Sequence, residues 1–162
     1  MIKADILRSG IEIPMEQIIY SMHFQGQTSP TSQDTRVIRN AASATSCTLR
    51  TRVDAQGVKG QHEAAEGDLA FLESEMRLIG PDSFSEQGTI TFGENHVLRF
   101  TTIQNGCLTP SAGPHTLAGA ASWKVDGGEG QFAQATGLIT SNFTLDETGV
   151  RNEYQLGVIF VP

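Results

Sequence analysis

The sequence predicts an all-β protein, an eight-stranded antiparallel β-barrel, and three observations lead to this fold class. Stretches in which apolar and polar residues alternate recur along the chain, as they do in half-buried strands. Of the 162 residues, 36 are Val, Ile or Thr, which favour extended backbone. Clusters of Gly, Pro, Asp and Asn separate the stretches and supply turn conformations. The length fits a single domain, residues 1–162.

Eight stretches show the alternation clearly enough to be predicted as strands. In chain order they are 18–24, 47–53, 68–79, 87–92, 96–103, 118–125, 138–145 and 153–161. The fourth and fifth flank Gly93-Glu94-Asn95 and are expected to form a short-looped hairpin. Eight short strands joined mainly by tight turns fit a closed barrel, because closure removes exposed sheet edges. A β-sandwich is the competing arrangement.

Three segments have no clear alternation. Residues 25–46 form the longest irregular stretch, in which 41–46 are either helical or a loop. Residues 14–20 could start a helix at Pro14, although their length favours a strand. Segment 2–8 could add an edge strand or cover one mouth of the barrel.

Composition excludes several classes of function. The chain has 11 basic and 18 acidic residues, with only three Lys, which argues against a nucleic-acid partner. No apolar run approaches the roughly 18 residues of a membrane span, so no membrane partner is expected. Without a signal-peptide pattern the expected location is cytoplasmic. In that reducing compartment Cys47 and Cys107 are expected as free thiols.

One glycine-rich segment resembles a known family. Residues 127–137 read GGEGQFAQATG, a pattern that can be written GGxGxFxxAxG and that precedes the strand LITSNFTL. The segment resembles the corresponding part of allene oxide cyclase and dirigent-like barrels, in which the glycines turn the chain and the Phe plugs the barrel. Small bacterial proteins of unknown function share it. The resemblance implies a cyclase-type barrel, a cofactor-free reaction and a homo-oligomer, either a dimer or a trimer.

The alternation also predicts which side chains face the lumen. The expected inward sets are Tyr20, Met22 and Phe24; Trp123 and Val125; Ile139, Ser141, Phe143 and Leu145; and Tyr154, Leu156, Val158 and Phe160. An apolar pocket with a few converging polar groups suits a small molecule. The predicted ligand-binding residues are therefore Tyr20, Trp123, Ser141 and Tyr154. A filled core, in which these polar atoms only meet backbone partners, is the alternative.

Candidate acid–base residues lie on strand 68–79. Its apolar face is expected to point inward, which leaves Glu73, Glu75 and Arg77 as a solvated row opposed by arginines of neighbouring strands. A β-bulge would turn one carboxylate inward, where burial would raise its pKa and suit it to proton transfer. Arg99 and Arg50 are the expected charge partners. The predicted catalytic residues are Glu75, Glu73 and Arg99.

These observations lead to two hypotheses. The first is a protein that binds an apolar or amphipathic small molecule in its lumen and that, if catalytic, is a cofactor-free cyclase or isomerase acting by substrate preorganisation. The alternative is a non-catalytic binding or assembly module. His23, His62, His96 and His115 show no metal-binding spacing, so no metal is expected.

Overall fold

The computed structural model describes residues 13–162, and the predicted segment 2–8 lies outside them. Strands dominate this part of the chain. They are β1 (Glu16–Pro30), β2 (Val37–Ala44), β3 (Cys47–Asp54), β4 (Gly57–Ala64), β5 (Ala70–Leu78), β6 (Ser83–Phe92), β7 (His96–Thr102), β8 (Gly106–Pro110), β9 (Thr116–Gly128), β10 (Thr136–Asp146) and β11 (Val150–Val161). A short 3-10 turn spans Gly130–Phe132.

The strands form a closed antiparallel barrel, which confirms the predicted fold class. Neighbours around the barrel are β1, β2, β5, β6, β7, β9, β10 and β11, and β11 pairs back with β1. β7 and β8 together occupy the position between β6 and β9. β8 pairs with the beginning of β6, and β9 pairs with both β7 and β8. The hairpin around Gly93 forms as predicted, with Phe92 opposite His96.

The predicted number of barrel strands is right, but one strand of the set is wrong. Segment 47–53 is β3, which pairs only with β4 in a separate two-stranded hairpin. Its place in the barrel is taken by β2, which lies in the stretch 25–46 that was expected to be irregular. Small residues explain the difference, since Ala42 and Ala44 bury little apolar surface and give β2 a weak alternation signal.

The glycine-rich segment closes one end of the barrel. Gly127 and Gly130 adopt positive φ angles of 70° and 61°, which glycine reaches without steric penalty. The turn directs Phe132 into the barrel, where it is 3% exposed and lies 5.3 Å from the ring of Phe92. The expectation that Phe132 belongs to the core is confirmed. We refer to this end as the Phe132 end.

Along the barrel strands, buried side chains that face the lumen alternate with solvated side chains on the outer wall. On β5 the buried residues are Ala70, Leu72, Ser74 and Met76, as the alternation predicts. On β10 Ile139, Ser141 and Phe143 are buried, and on β9 Trp123 and Val125 are. Cys47 and Cys107 are free thiols. Among residues 13–162 no helix is long and apolar enough to cross a membrane.

Candidate functional site in the barrel lumen

The inward face of β11 is polar, contrary to the prediction. Arg151, Glu153 and Gln155 are buried in the lumen, with 0%, 0% and 2% exposure. Tyr154 and Leu156 are about half exposed on the outer face, so the predicted inward set of β11 was wrong. The prediction chose the more apolar face, whereas this strand buries charged groups that find partners on other strands.

Arg151 holds two buried carboxylates together. Its guanidinium contacts Glu86 through Nη1 at 3.0 Å and Nη2 at 3.2 Å, and Nη2 lies 3.0 Å from Glu153 Oε2. The guanidinium also stacks 3.9 Å above the ring of Phe143. Burial opposes its charge, but the attraction of Glu86 and Glu153 outweighs burial and raises the pKa of Arg151. The pairing geometry lets charges exist in the core.

Hydrogen bonds extend this ion cluster toward the Phe132 end. The Ser141 hydroxyl donates to Glu153 Oε1 at 2.6 Å, and Gln155 Nε2 donates to the same oxygen at 3.0 Å. The Tyr20 hydroxyl then donates to Gln155 Oε1 at 3.0 Å. Burial raises the pKa of Glu153, and the negative charge of Glu86 acts in the same direction. We call the chain Glu86–Arg151–Glu153–Gln155–Tyr20 the buried polar network.

Tyr20 connects this network to an open cavity. Its ring covers Gly157 of β11, where any larger residue would collide with the aromatic carbons, and it packs edge-on against Phe92. The cavity has a volume of about 900 Å³ and opens between the Phe132 end of the barrel and β3. Its apolar lining consists of Ile19, Met22, Leu49, Leu69, Ala70, Phe92 and Leu156. We call it the mouth cavity.

Trp123 lies in the lumen as predicted, fully buried and stacked on Phe100 with ring centroids 3.9 Å apart. Its indole N–H finds no hydrogen-bond acceptor among residues 13–162. A buried donor without a partner is unfavourable by about 1–3 kcal/mol, so it is a feature that a ligand could relieve.

Of the other two predicted ligand-binding residues, Ser141 faces the lumen as predicted and Tyr154 does not. Ser141 is buried, and its hydroxyl donates to Glu153 of the buried polar network. Tyr154 lies on the outer wall, where its ring stacks on His23 with centroids 4.3 Å apart and His62 of β4 packs nearby. Tyr154 therefore helps to seat the β3–β4 hairpin and does not reach the lumen.

The predicted catalytic residues lie together, but outside the barrel. Glu73, Glu75 and Arg99 line an outer-wall groove of about 610 Å³ across β2, β5, β6 and β7. Glu75 pairs with Arg39 at 3.4 Å, and Arg99 lies 3.6 Å from Glu129. No bulge turns β5, since its register with β2 and β6 is continuous. The expected solvated row of Glu73 and Glu75 is confirmed, and the alternative in which a bulge turns a carboxylate inward is wrong.

Sequence reasoning therefore missed the buried charges. Arg50, a predicted partner of Glu73 or Glu75, pairs with Glu63 inside the hairpin at 3.5 Å. Glu86 could have been found, because it shares a strand face with the apolar residues Phe84 and Ile90. Arg151 and Glu153 could have been found only by continuing the face of Ile159 backwards through β11.

Comparison with family models, curated proteins and solved structures finds no match to this chain. The resemblance to allene oxide cyclase and dirigent-like barrels therefore stays a hypothesis carried by residues 127–137. Within residues 13–162 no group of three or more His, Cys, Asp or Glu side chains could hold a metal ion.

Proposed function

We propose that this protein binds an apolar or amphipathic small molecule in the mouth cavity. The observation that carries the proposal is the cavity itself, with a volume of about 900 Å³ and an apolar lining that includes Leu49, Phe92 and Leu156. Its size is in the range of small-molecule sites, about 300–1,000 Å³. Burying apolar ligand surface against this lining would supply the affinity.

The polar depth of the cavity favours an amphipathic ligand over a pure hydrocarbon. Tyr20 lines the cavity and is the point at which the buried polar network meets it. A molecule that laid its apolar part along Leu49 and Leu69 would direct its other end toward Tyr20. In an otherwise apolar site, a small number of polar groups contributes more to the orientation of the ligand than to its affinity.

The test measures Nile red fluorescence on the purified protein and on two variants of β3. Leu49→Asp places a charge in the cavity lining and is expected to weaken Nile red binding about tenfold, which corresponds to about 1.4 kcal/mol. Val53→Asp is the matched control, because Val53 lies on the same strand, is 76% exposed and does not line the cavity. Absence of binding to the unsubstituted protein, or equal loss in both variants, would refute the proposal.

The cyclase or isomerase reaction stays a prediction. Glu73, Glu75 and Arg99 line the outer-wall groove, so a reaction that used them would take place outside the barrel. Asp68, Glu94, His96 and Tyr20 line the mouth cavity and are the groups that could exchange a proton there, and burial raises the pKa of the Tyr20 hydroxyl far above the ordinary value for tyrosine. Such a phenol keeps its proton at neutral pH and acts by hydrogen bonding.

A second candidate function, assembly with further copies of this chain, is favoured by the outer wall of β10, β11 and β1. Ile19, Val158 and Leu138 are directly opposite one another on the three strands, and Ile19 and Leu138 are 64% and 53% exposed. Leu156 and Phe160 flank this row on β11. An apolar patch of this kind on a sheet face is typical of a protein interface.

A further inference from the structure

The first half of β1 has a strand partner on one side only. Residues 16–24 pair with β11, whereas pairing with β2 begins at Gln25. Among residues 13–162 no other strand pairs with this part of β1. The wall of the barrel therefore includes a free strand edge here, and such an edge is a template for a further strand.

The backbone groups along this edge point away from β11. Thr28 N–H donates to the turn that precedes β11, so the even-numbered residues of β1 face β11 and the odd-numbered residues face the other side. The Ser21 carbonyl accordingly accepts the Cys47 thiol of β3 and not a group of β11. The N–H and C=O groups of Gln17 and Ile19, together with the N–H of Ser21, are thus directed at the free edge.

The mouth cavity follows the same edge. Four consecutive residues of β1, 19–22, line it. Because the side chains of a strand alternate between two faces, a cavity that touches all four extends along the edge of the strand. The core residues Met22 and Ala70 line its inner part, and the half-exposed Leu49 and Leu69 line its outer part. An extended peptide, whose neighbouring side chains also point to opposite sides, matches both parts.

The charged side chains of the cavity are acidic. Asp68 and Glu94 line it, and no Lys or Arg of residues 13–162 does. His96 also lines the cavity, and its Nδ1 accepts a hydrogen bond from the backbone N–H of Gln131. Two carboxylates without a lining cation attract a positively charged group and repel a negatively charged one.

Building on the proposed function, we propose that the ligand of the mouth cavity is a short extended peptide with apolar and basic side chains, which adds a strand to the free edge of β1. Its backbone would pair with Gln17, Ile19 and Ser21, and its basic side chain would lie near Asp68 and Glu94. In this mode of recognition main-chain hydrogen bonds supply affinity, and pockets for alternate side chains supply specificity. A hydrocarbon chain would leave the row of backbone groups unpaired.

The test titrates the peptide acetyl-Val-Leu-Val-Leu-Lys-amide against the Nile red complex. Two N-methylated versions keep every side chain: one is methylated at the second and fourth residues, the other at the third and fifth. Alternate amides of a strand point to opposite edges, so only one version loses its hydrogen bonds to β1. That version is expected to displace Nile red at about tenfold higher concentration than the parent peptide, and the other within about threefold of it.

The charge of the ligand is tested separately. A peptide that ends in Glu in place of Lys is expected to bind about fivefold more weakly at low salt. The double variant Asp68→Asn with Glu94→Gln should remove this difference. Asp82→Asn is the matched control and should retain it, because Asp82 is exposed and does not line the cavity.

Amide hydrogen exchange measured by NMR reports on the edge itself. The parent peptide is expected to slow exchange at the amides of Ile19 and Ser21 about tenfold, because they gain a partner. The amide of Tyr20 already faces β11 and is expected to change little.

The outcomes separate this inference from the proposed function. If Nile red does not bind, the proposed function fails and the inference fails with it. If Nile red binds but the parent peptide does not displace it, or both N-methylated versions bind equally well, the added strand is excluded and the mouth cavity remains a small-molecule site. Slow exchange of Ile19 and Ser21 before peptide is added would show that this chain or a second copy already covers the edge, and would overturn the proposal. A peptide ending in Glu that binds as tightly as the one ending in Lys would exclude the basic side chain.

Discussion

At the scale of single residues, Arg151 decides whether the lumen can contain charge. Its guanidinium is the shared partner of Glu86 and Glu153, all three side chains are inaccessible or nearly so, and their formal charges leave one negative charge in excess. A buried pair adds little stability relative to an apolar core, but removing one member leaves the others uncompensated. The network is therefore a vulnerable point in the fold.

Arg151→Met is expected to destabilise the protein by about 3–5 kcal/mol, because it leaves two carboxylates buried without a cation. Urea unfolding at pH 7 measures the change. Arg99→Met is the matched control, since Arg99 is half exposed and its pair with Glu129 is expected to contribute less than about 1 kcal/mol.

The loss in Arg151→Met is also expected to depend on pH. Without Arg151, the buried carboxylates have raised pKa values in the folded state. The loss of stability is therefore largest at pH 7, where the same carboxylates ionise freely in the unfolded chain, and it shrinks as pH falls toward 5. Similar losses in both variants, or a loss that does not change with pH, would show that Arg151 does not compensate these charges.

At the scale of secondary-structure elements, the β3–β4 hairpin is the part least tied to the barrel. It forms its own two-stranded sheet, and Leu49 from its first strand lines the mouth cavity. Its polar contacts with the barrel include His62 with the Ser21 hydroxyl, 3.0 Å apart and next to the stacked rings of His23 and Tyr154, and Cys47 with the Ser21 carbonyl. Elements with few buried contacts open more readily than the core.

The docking of this hairpin is expected to weaken as pH falls. Burial lowers the pKa of His62, and the neighbouring His23 adds to this, so the docked state favours the neutral ring. A depressed pKa of a basic group means that docking is strongest above about pH 6.5 and weakens below it. Glu63 faces Arg50 within the hairpin, and Tyr154 is the other ring packed against His62.

Thiol labelling measures this opening. Cys47, partly buried at the base of the hairpin, donates to the Ser21 carbonyl, whereas Cys107 is exposed and serves as the internal reference. The labelling rate of Cys47 relative to that of Cys107 is expected to rise as pH is lowered from 8 to 5.5. His62→Gln should abolish the pH dependence, while His115→Gln, on an exposed loop, should retain it. A ratio that stays constant with pH in the unsubstituted protein would contradict docking through His62.

At the scale of the whole molecule, the apolar row on β10, β11 and β1 predicts self-association. Light scattering after size-exclusion chromatography is expected to give a mass above the 17.4 kDa of one chain. Leu138→Lys should shift the protein toward the monomer, because it places a charge in the centre of the row. Leu117→Lys, at an outer-wall position away from the row, should leave the mass unchanged. A monomer at high concentration would exclude the assembly function.

The sequence by itself determined the fold class and most inward faces. Alternation predicted the faces of β5, β9 and β10 because their buried positions are mainly apolar, and the GGxGxFxxAxG segment predicted Phe132 as a core residue. Where burial and hydrophobicity agree, a period of two is a sufficient guide.

Only the tertiary structure decided where the charges lie. Arg151 is compatible with the core because Glu86, 65 residues away in sequence, meets it across the lumen, and no local pattern contains that pairing. Likewise, β3 has the clearer alternation in the sequence, but barrel closure placed β2 in the wall and left β3 in a separate hairpin. Long-range partners can reverse the preference of a polar residue for solvent, so the polar half of the candidate site became visible only in the folded chain.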